Sequence, residues 1–424
     1  MLEDLFQYIW KMKLFKTNNL LTTEGESVEI INVGTHNFNA GPDFLNSKIK
    51  IGNTVWVGNI ELHVKSSDWV LHKHQDDPAF KNIILHVVYQ NDFSLSDSYG
   101  NPMKTLVLKD HIDKEVIQNY QTFKENKTKI PCANSIASVP IEIIRTNLEK
   151  LIVSRLERKS LQIEKLLIDH KNNWEQSFYL QLASNFGFKV NQIPFELIAQ
   201  SIPLSVLAKH KSNIHQLEAL LFGQAGLLND SFEENYPQLL QNEYTYLKKK
   251  YQLNGIDSHL WKFSRMRPVN FPTIRIAQFA ALVHHSSHLF SKIISSQNPD
   301  ELIKLFKVTA STYWDTHYTF QKTTAQLKKN IGKSAIENLI INTIVPFVFI
   351  YGRHYGNESK CELSLNLLEK INPEKNNITQ TWADIGVKAE NSLHSQALIE
   401  LKNNHCDLKK CLQCSIGYYI IKNN

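Results

Sequence analysis

The spacing of apolar positions divides the chain into a short mixed segment and a long helical one. Residues 2–15 carry apolar side chains at the spacing of one helix face, and acidic residues in the first turn favour a helix start there. Alternating or β-rich apolar runs then predict five strands, at 27–33, 44–51, 54–65, 82–89 and 105–108. Gly52-Asn53 predicts a hairpin between the second and third strands, and a short connection or helical turn is expected at 76–81.

Beyond about residue 112 the apolar period becomes that of helices. Residues 112–140 include Pro131 and Pro140 and are predicted to be a linker. Apolar positions recur every three or four residues through most of 141–424, with prolines and glycines between the segments. The predicted fold class is therefore an α+β N-terminal domain, residues 1–111, followed by a large all-α region, residues 141–424, of one or two domains.

Composition places the chain among ordinary globular proteins. Of its 424 residues, 42% are hydrophobic and 21% charged, and the formal charge of +6 permits a nucleic-acid partner without requiring one. The longest apolar run, 339–351, is interrupted by Asn342 and Pro346, so no membrane span is expected. The N-terminus carries acidic residues and does not resemble a signal peptide. Five cysteines, an odd number, argue against a disulfide framework, so we expect the cytoplasm.

The third predicted strand carries the clearest chemistry. Glu61, His63 and Lys65 alternate with apolar residues and would share one face of the sheet. Asp43 begins the neighbouring strand of the hairpin, so its carboxylate and that of Glu61 are expected to converge on Mg²⁺ or Mn²⁺. Lys65, or His63, would then orient a water molecule or stabilise developing phosphate charge. The plain alternative is that the three alternating residues form the solvated face of a half-buried sheet.

Histidines near this strand suggest a second kind of site. His72 and His74 follow Trp69 in an extended segment and, with His63, His86 and Asp68, could hold zinc or iron. His86 shares a strand face with apolar residues, which is more typical of a core histidine. In the first interpretation His72 and His74 would instead lie on the substrate side of the Asp43–Glu61 pair.

The hairpin resembles the PD-(D/E)XK nuclease superfamily. Pro42-Asp43 matches its PD element, Glu61 its second acid, and the element order is similar to its core. The resemblance implies metal binding by Asp43 and Glu61, with the Leu62 carbonyl completing the coordination and cleavage of nucleic acid as the activity. His63 stands where that superfamily has lysine, and Lys65 on the same face could supply the missing positive charge. Glu3 on the first helix is a further candidate ligand.

A longer set of motifs resembles the bacterial family called domain of unknown function 2851. The matching positions are Asn37, Ala40-Gly41-Pro42-Asp43-Phe44, Gly58-Asn59-Ile60-Glu61-Leu62-His63, Ser67-Asp68-Trp69, Leu85-His86-Val87-Val88, Arg267-Pro268, Asn270-Phe271-Pro272, Arg275, Cys411-Leu412, Cys414 and Ile416-Gly417. They extend over nearly the whole chain. The family resemblance itself implies no activity.

Cysteines near the C-terminus form another candidate site. Cys406, Cys411 and Cys414, with His405 adjacent, have enough ligands for a structural zinc, and a fourth cysteine would allow an iron–sulfur cluster. Some nucleases of the resembled superfamily hold such a cluster with one distant cysteine, which here would be Cys132 or Cys361. Alternatively, the cysteines pack as small hydrophobic residues in a terminal helix.

Three arginines surround a proline-rich turn in the helical region. Arg265, Arg267 and Arg275 are candidates for binding substrate phosphates, although pairing with acidic residues between helices is the commoner arrangement.

Taken together, these candidate sites favour a divalent-metal-dependent phosphodiesterase acting on nucleic acid. The alternatives are a nucleic-acid-binding or scaffold protein with a degenerate nuclease-like site, and a His/Asp transition-metal hydrolase. Nothing in the sequence predicts an oligomeric state.

Overall fold

A computed structural model describes residues 1–97 and 100–423, and the chain divides into two compact units. Unit 1 comprises Met1–Leu148, Gln380–Lys388 and Leu398–Asn424. Unit 2 comprises Glu149–Thr379 and Ala389–Ala397. The last part of the chain thus belongs with the N-terminal segment, whereas the sequence placed all of 141–424 in one helical region.

Unit 1 contains a mixed sheet beside an amphipathic helix. Helix α1 (Glu3–Met12) buries its apolar face, as its period predicts. The strands are β1 (Val28–Asn32), β2 (Thr35–His36), β3 (Phe44–Ile51), β4 (Thr54–Lys65), β5 (Ile83–Gln90) and β6 (Thr105–Val107). Their order is β1-β3-β4-β5-β6, with β2 also paired to β3. The pairs β1–β3 and β3–β4 are antiparallel, whereas β4–β5 and β5–β6 are parallel.

Strand β4 positions the candidate site. It is central in the sheet, and its second half is buried on both faces: Ile60 and Leu62 have no exposed surface, and Glu61 and His63 are 5% and 1% exposed. The alternative that the alternating residues form a solvated face is therefore wrong for Glu61 and His63. The reason is a cover formed by the short helix α2 (Asp68–Leu71), whose Trp69 ring lies edge-on to His63.

The segment after β6 is partly helical. Helix α3 (Lys114–Glu125) lies within 112–140, for which the sequence predicted a linker. Its buried positions, Val116, Tyr120 and Phe123, recur every three or four residues, as expected for one helix face. Unit 1 therefore contains a helix that the proline content of this stretch concealed.

Unit 2 is largely helical. Its helices are α4 (Ile141–Asp169, which starts in unit 1), α5 (Trp174–Phe186), α6 (Phe188–Ser201), α7 (Leu204–Lys209), α8 (Ile214–Gln224), α9 (Asn235–Tyr251), α10 (Pro272–His285), α11 (Leu289–Ser295), α12 (Pro299–Leu305), α13 (Lys333–Leu339), α14 (Val345–His354) and α15 (Glu358–Lys370). A small antiparallel ribbon, β7 (His317–Thr319) with β8 (Lys322–Thr323), interrupts them, so the region is not all-α. The range Lys333–His354 is long and apolar enough to cross a membrane, but 78% of its most apolar window is buried in the fold, as in core helices of soluble proteins.

Three helices complete the chain: α16 (Asn377–Asp384), α17 (Ser392–Leu401) and α18 (Ser415–Asn423). Helix α18 packs against α3 within unit 1. The Asn119 side-chain amide donates hydrogen bonds to the carbonyls of Ile420 and Ile421, at 3.3 and 3.4 Å. These contacts hold the C-terminal end of the chain against the N-terminal half of unit 1.

Candidate metal centre

The hairpin β3–β4 fixes the two predicted carboxylates against each other. The Asp43 backbone N–H donates to Glu61 Oε2 at 3.0 Å, and the Leu62 N–H donates to Asp43 Oδ2 at 3.1 Å. Gln7 of α1 donates from Nε2 to Asp43 Oδ1 at 2.8 Å. The predicted convergence of Asp43 and Glu61 is therefore present, and both side chains are held in single orientations.

Burial makes these two acids reluctant to ionise. Burial is the largest cause of a raised pKa for Asp43, and the Leu62 N–H opposes it. Burial, followed by the charge of Asp43, also raises the pKa of Glu61. Glu3 on α1 adds further negative potential at both groups. The two buried acids, Asp43 and Glu61, therefore need either a proton or a cation between them.

Three imidazoles form a group beside Glu61, and two of them contact its carboxylate. His63, His72 and His74 place one ligand atom each within 4.8 Å of one another, the only such group of three among residues 1–97 and 100–423. His63 Nε2 lies 3.2 Å from His72 Nδ1. Glu61 Oε1 lies 3.3 Å from His74 Nε2 and 3.7 Å from His63 Nε2. We call His63, His72 and His74 the histidine cluster.

A turn between α2 and β5 brings two of the histidines to the strand. His72 ends α2, and His74 begins a single 3₁₀ turn, His74–Asp76. Lys73 between them has φ of 60°, in the left-handed region, and this reversal turns both imidazoles toward His63. His72 remains exposed to solvent, whereas His74 is half-buried.

A further histidine supports the cluster from behind. His86 on β5 is fully buried, as predicted for a core residue, and its Nε2 lies 2.9 Å from His63 Nδ1. One of these nitrogens must donate to the other, so the tautomers of His63 and His86 are linked. Burial lowers the pKa of His63 to about 2 and that of His86 to about 3. Both rings are therefore neutral near pH 7, which is the form that binds metals.

One ring nitrogen of the histidine cluster lacks a hydrogen-bond partner. His74 Nε2 is buried and has no hydrogen-bond partner in the described structure. The ring is otherwise well packed, since it stacks on Phe80 with centroids 3.8 Å apart. His74 Nε2 lies 3.3 Å from Glu61 Oε1 without forming a hydrogen bond to it, and a divalent cation between these atoms would satisfy both, so the residues present fit such an ion.

Other residues proposed from the sequence take different positions. Lys65 is exposed at the end of β4. Its backbone N–H donates to Asp68 Oδ2 at 2.9 Å, so that carboxylate stabilises the start of α2. Neither residue has a described contact with Glu61 or the histidine cluster.

An exposed aromatic side chain stands on the loop before Asp43. Phe38 is 78% exposed, and the Lys11 ammonium lies 5.8 Å from its ring centre. The loop itself is well fixed, because Asn37 donates from Nδ2 to the carbonyls of Ala40 and Pro42. This loop therefore carries an exposed aromatic ring next to a positive charge.

The three candidate arginines lie in unit 2. Arg265 and Arg267 are exposed. Arg275 is buried on α10, where it donates to Gln278 Oε1 at 2.9 Å and Asn270 Oδ1 at 2.6 Å. The acidic partners expected for such a residue are replaced at Arg275 by these two amides. Arg275 therefore braces the turn that starts α10.

The C-terminal cysteines line a different cavity of unit 1. Cys406, Cys411 and Cys414 share it with Cys132, whereas Cys361 lies on α15 in unit 2.

Sequence reasoning missed Gln7 as a partner of Asp43. No local signal identifies it, because a glutamine on an amphipathic helix is ordinarily a solvent-facing residue.

Comparison with known proteins gives a family and nothing narrower. A search of curated proteins and a search of solved structures find no match. A family model described as "Protein of unknown function (DUF2851)" matches residues 3–377, a range that includes the carboxylates, the histidine cluster and the arginines. By this match the chain belongs to the DUF2851 family.

Proposed function

We propose that unit 1 is a divalent-metal-dependent phosphodiesterase that hydrolyses nucleic acid. The observation that carries the proposal is the joint placement of Glu61 and the histidine cluster around the unpaired His74 Nε2. Glu61 and the three imidazoles would hold the metal. A divalent ion bound there would lower the pKa of a coordinated water and so supply a nucleophile at neutral pH.

The donor set argues for a transition metal. Mg²⁺ prefers oxygen ligands, whereas imidazole nitrogens suit Mn²⁺, Fe²⁺ and Zn²⁺. Mn²⁺ also accepts carboxylate oxygens, and it is therefore our first choice. Asp43 would act mainly by orienting Glu61, because its own N–H and both of its carboxylate oxygens already take part in hydrogen bonds. This moves the metal from the Asp43–Glu61 pair toward the histidines.

The residues around the proposed metal would have different roles. His86 would fix the tautomer of His63, leaving Nε2 as the metal-binding atom. His72 is the exposed member of the cluster, so the open coordination side and the substrate would lie toward solvent there. The buried members keep the inner side free of competing water.

Exposed residues of unit 1 support a nucleic-acid substrate. An exposed aromatic ring beside a lysine can stack a base and attract a phosphate, as Phe38 and Lys11 would do. Lys65 adds exposed positive charge at the end of β4, and Lys73 adds it within the His72–His74 turn. The formal charge of +6 agrees with an anionic partner.

The element order also supports phosphodiester cleavage. A helix, an antiparallel hairpin with Glu61 on one strand and Asp43 just before the other, a short helix and a parallel strand follow one another, an order similar to that expected from the resemblance to PD-(D/E)XK nucleases. His63 cannot replace the lysine of those enzymes as a cation, because it is buried and neutral. A metal ion with histidine ligands would supply that positive charge instead.

The test is a cleavage assay with labelled single- and double-stranded DNA and RNA in Mn²⁺, Zn²⁺ or Mg²⁺. We expect cleavage with Mn²⁺ or Zn²⁺, and a loss of about 100-fold or more in Glu61→Gln and His72→Ala, since even outer partners of metal ligands cost 10–100-fold. Glu29→Gln, an exposed acid on β1, is the matched control and should cleave like wild type. Metal binding without cleavage of any of these substrates would refute the activity and favour a binding or scaffold protein.

A further inference from the structure

Four of the five cysteines converge on one small cavity of unit 1. Cys132 follows α3, whereas Cys406, Cys411 and Cys414 come from the turns before α18. The remaining cysteine, Cys361, is in unit 2, where its thiol faces the Phe349 carbonyl at 3.7 Å. None of the five forms a disulfide. Two chain segments far apart in sequence therefore bring four free thiols to the same place.

We propose that Cys132, Cys406, Cys411 and Cys414 bind an iron–sulfur cluster that holds the C-terminal end of the chain against α3. This site is separate from the proposed phosphodiesterase centre, and it would stand if that activity failed. Four cysteine thiolates are the standard ligand set of such clusters.

The spacing of the sulfur atoms argues against a single metal ion. Four sulfurs around zinc at about 2.3 Å would lie about 3.8 Å apart. Within the described residues, however, no three of these sulfurs lie within 4.8 Å of one another, because only the histidine cluster meets that condition. A cluster that distributes its cysteine ligands over several irons accepts the wider spacing.

An unpaired polar atom at this cavity argues against simple hydrophobic packing. The cavity is small, about 20 Å³, and it is lined by the four cysteines and His405. His405 Nδ1 is buried and has no hydrogen-bond partner in the described structure. An N–H at that position could donate to a cluster sulfur, as hydrogen bonds commonly do at such centres.

Positive groups lie beside the cavity. Lys410 lines it together with the cysteines, and Lys409 Nζ donates to the carbonyl of Lys124 near the end of α3. Positive groups are thus held beside a site whose bound form would carry net negative charge.

The backbone around the cavity is closely fitted. A Cβ added at Gly417, in the first turn of α18, would lie 2.2 Å from the Cys411 carbonyl oxygen. The Cys414 thiol and the Ser415 N–H both face Asn147 Oδ1, at 4.0 and 3.2 Å. The cysteine turns are therefore fixed by α18 and by the start of α4, which gives the four thiols a defined arrangement.

The experiment is anaerobic purification of the full-length protein, followed by assays of iron, acid-labile sulfide and zinc and by the visible absorption spectrum. Samples that lose iron are reconstituted with ferrous iron and sulfide. Wild type is expected to hold iron and sulfide and to show sulfur-to-iron charge-transfer bands. Cys132→Ser should lose most of both, and the matched control Cys361→Ser should equal wild type.

Any of three other results would contradict the proposal. Wild type without iron and sulfide after reconstitution leaves cysteines that only pack, and one zinc per chain without iron indicates a single-ion site. Full iron content in Cys132→Ser removes the distant cysteine from the site. The wild-type measurement is decisive even if Cys132→Ser fails to fold, which far-ultraviolet circular dichroism would detect.

Discussion

Metal binding at Glu61 and the histidine cluster should release protons from the carboxyl pair. Burial and mutual repulsion raise the pKa of both Asp43 and Glu61. Near pH 7.5 the metal-free pair is therefore expected to retain about one proton, because two buried acids this close resist double ionisation. A divalent ion needs the ionised form of Glu61, so binding must displace that proton.

His63 and His74 are not expected to contribute to this proton release. Burial lowers the pKa of His63 and of His74, so both are already neutral at pH 7.5 and release nothing. One proton displaced corresponds to an association constant that rises about tenfold per pH unit, or about 1.4 kcal/mol. If histidines were instead the titrating ligands, the gain would end above about pH 6.5, the usual imidazole pKa.

The assay is calorimetric titration of Mn²⁺ into metal-free protein in buffers of different ionisation enthalpy. The dependence of the observed heat on that enthalpy gives the number of protons released. Asp43→Asn should release fewer protons than wild type, because the charge that opposes ionisation of Glu61 is gone. Glu29→Gln, on the exposed face of β1, should release as many as wild type. Binding to wild type without proton release at pH 7.5 would refute the reasoning.

Two further predictions concern the fold. Gly58→Ala places a Cβ 2.4 Å from Ile84 Cγ2 and 2.9 Å from the Asn82 carbonyl. We therefore expect chemical denaturation to show an unfolding free energy lower by about 1–3 kcal/mol. The control Gly332→Ala should change it little, because the added Cβ meets open space there. In unit 2, burial raises the pKa of Glu218 to about 7, so folded protein keeps a proton that unfolded protein loses above its ordinary pKa. Wild-type unfolding free energy should therefore fall by up to about 1.4 kcal/mol per pH unit toward pH 7 relative to Glu218→Gln, and equal slopes for the two proteins would contradict this.

The hairpin was predictable because its determinants are local. Strands β3 and β4 have the predicted bounds, since alternation and the Gly52-Asn53 turn fix both register and reversal. The register pairs Phe44 with Ile60, and this brings Asp43 beside Glu61. Adjacency of the two acids thus follows from the sequence once the hairpin is recognised.

The identity of the remaining ligands depended on features that alternation does not encode. The sequence offered His72 and His74 both as substrate-side residues and as part of a transition-metal site. Only the left-handed turn at Lys73, together with the cover over β4, brings both rings to His63. Burial of Glu61 was also missed, because a charged residue on an alternating strand ordinarily marks the solvent face.

Spacing in the sequence could predict three of the clustered cysteines but not the fourth. Cys406, Cys411 and Cys414 are close in sequence, and their grouping needs only local turns. Cys132 and Cys361 were equal candidates for the fourth position, and spacing could not separate them. The choice of Cys132 follows from the return of α18 to α3, through the Asn119 hydrogen bonds. The same return makes the last helix part of the unit that holds Glu61, so a chain truncated before Cys406 would lose a wall of unit 1 and three of the four proposed iron ligands.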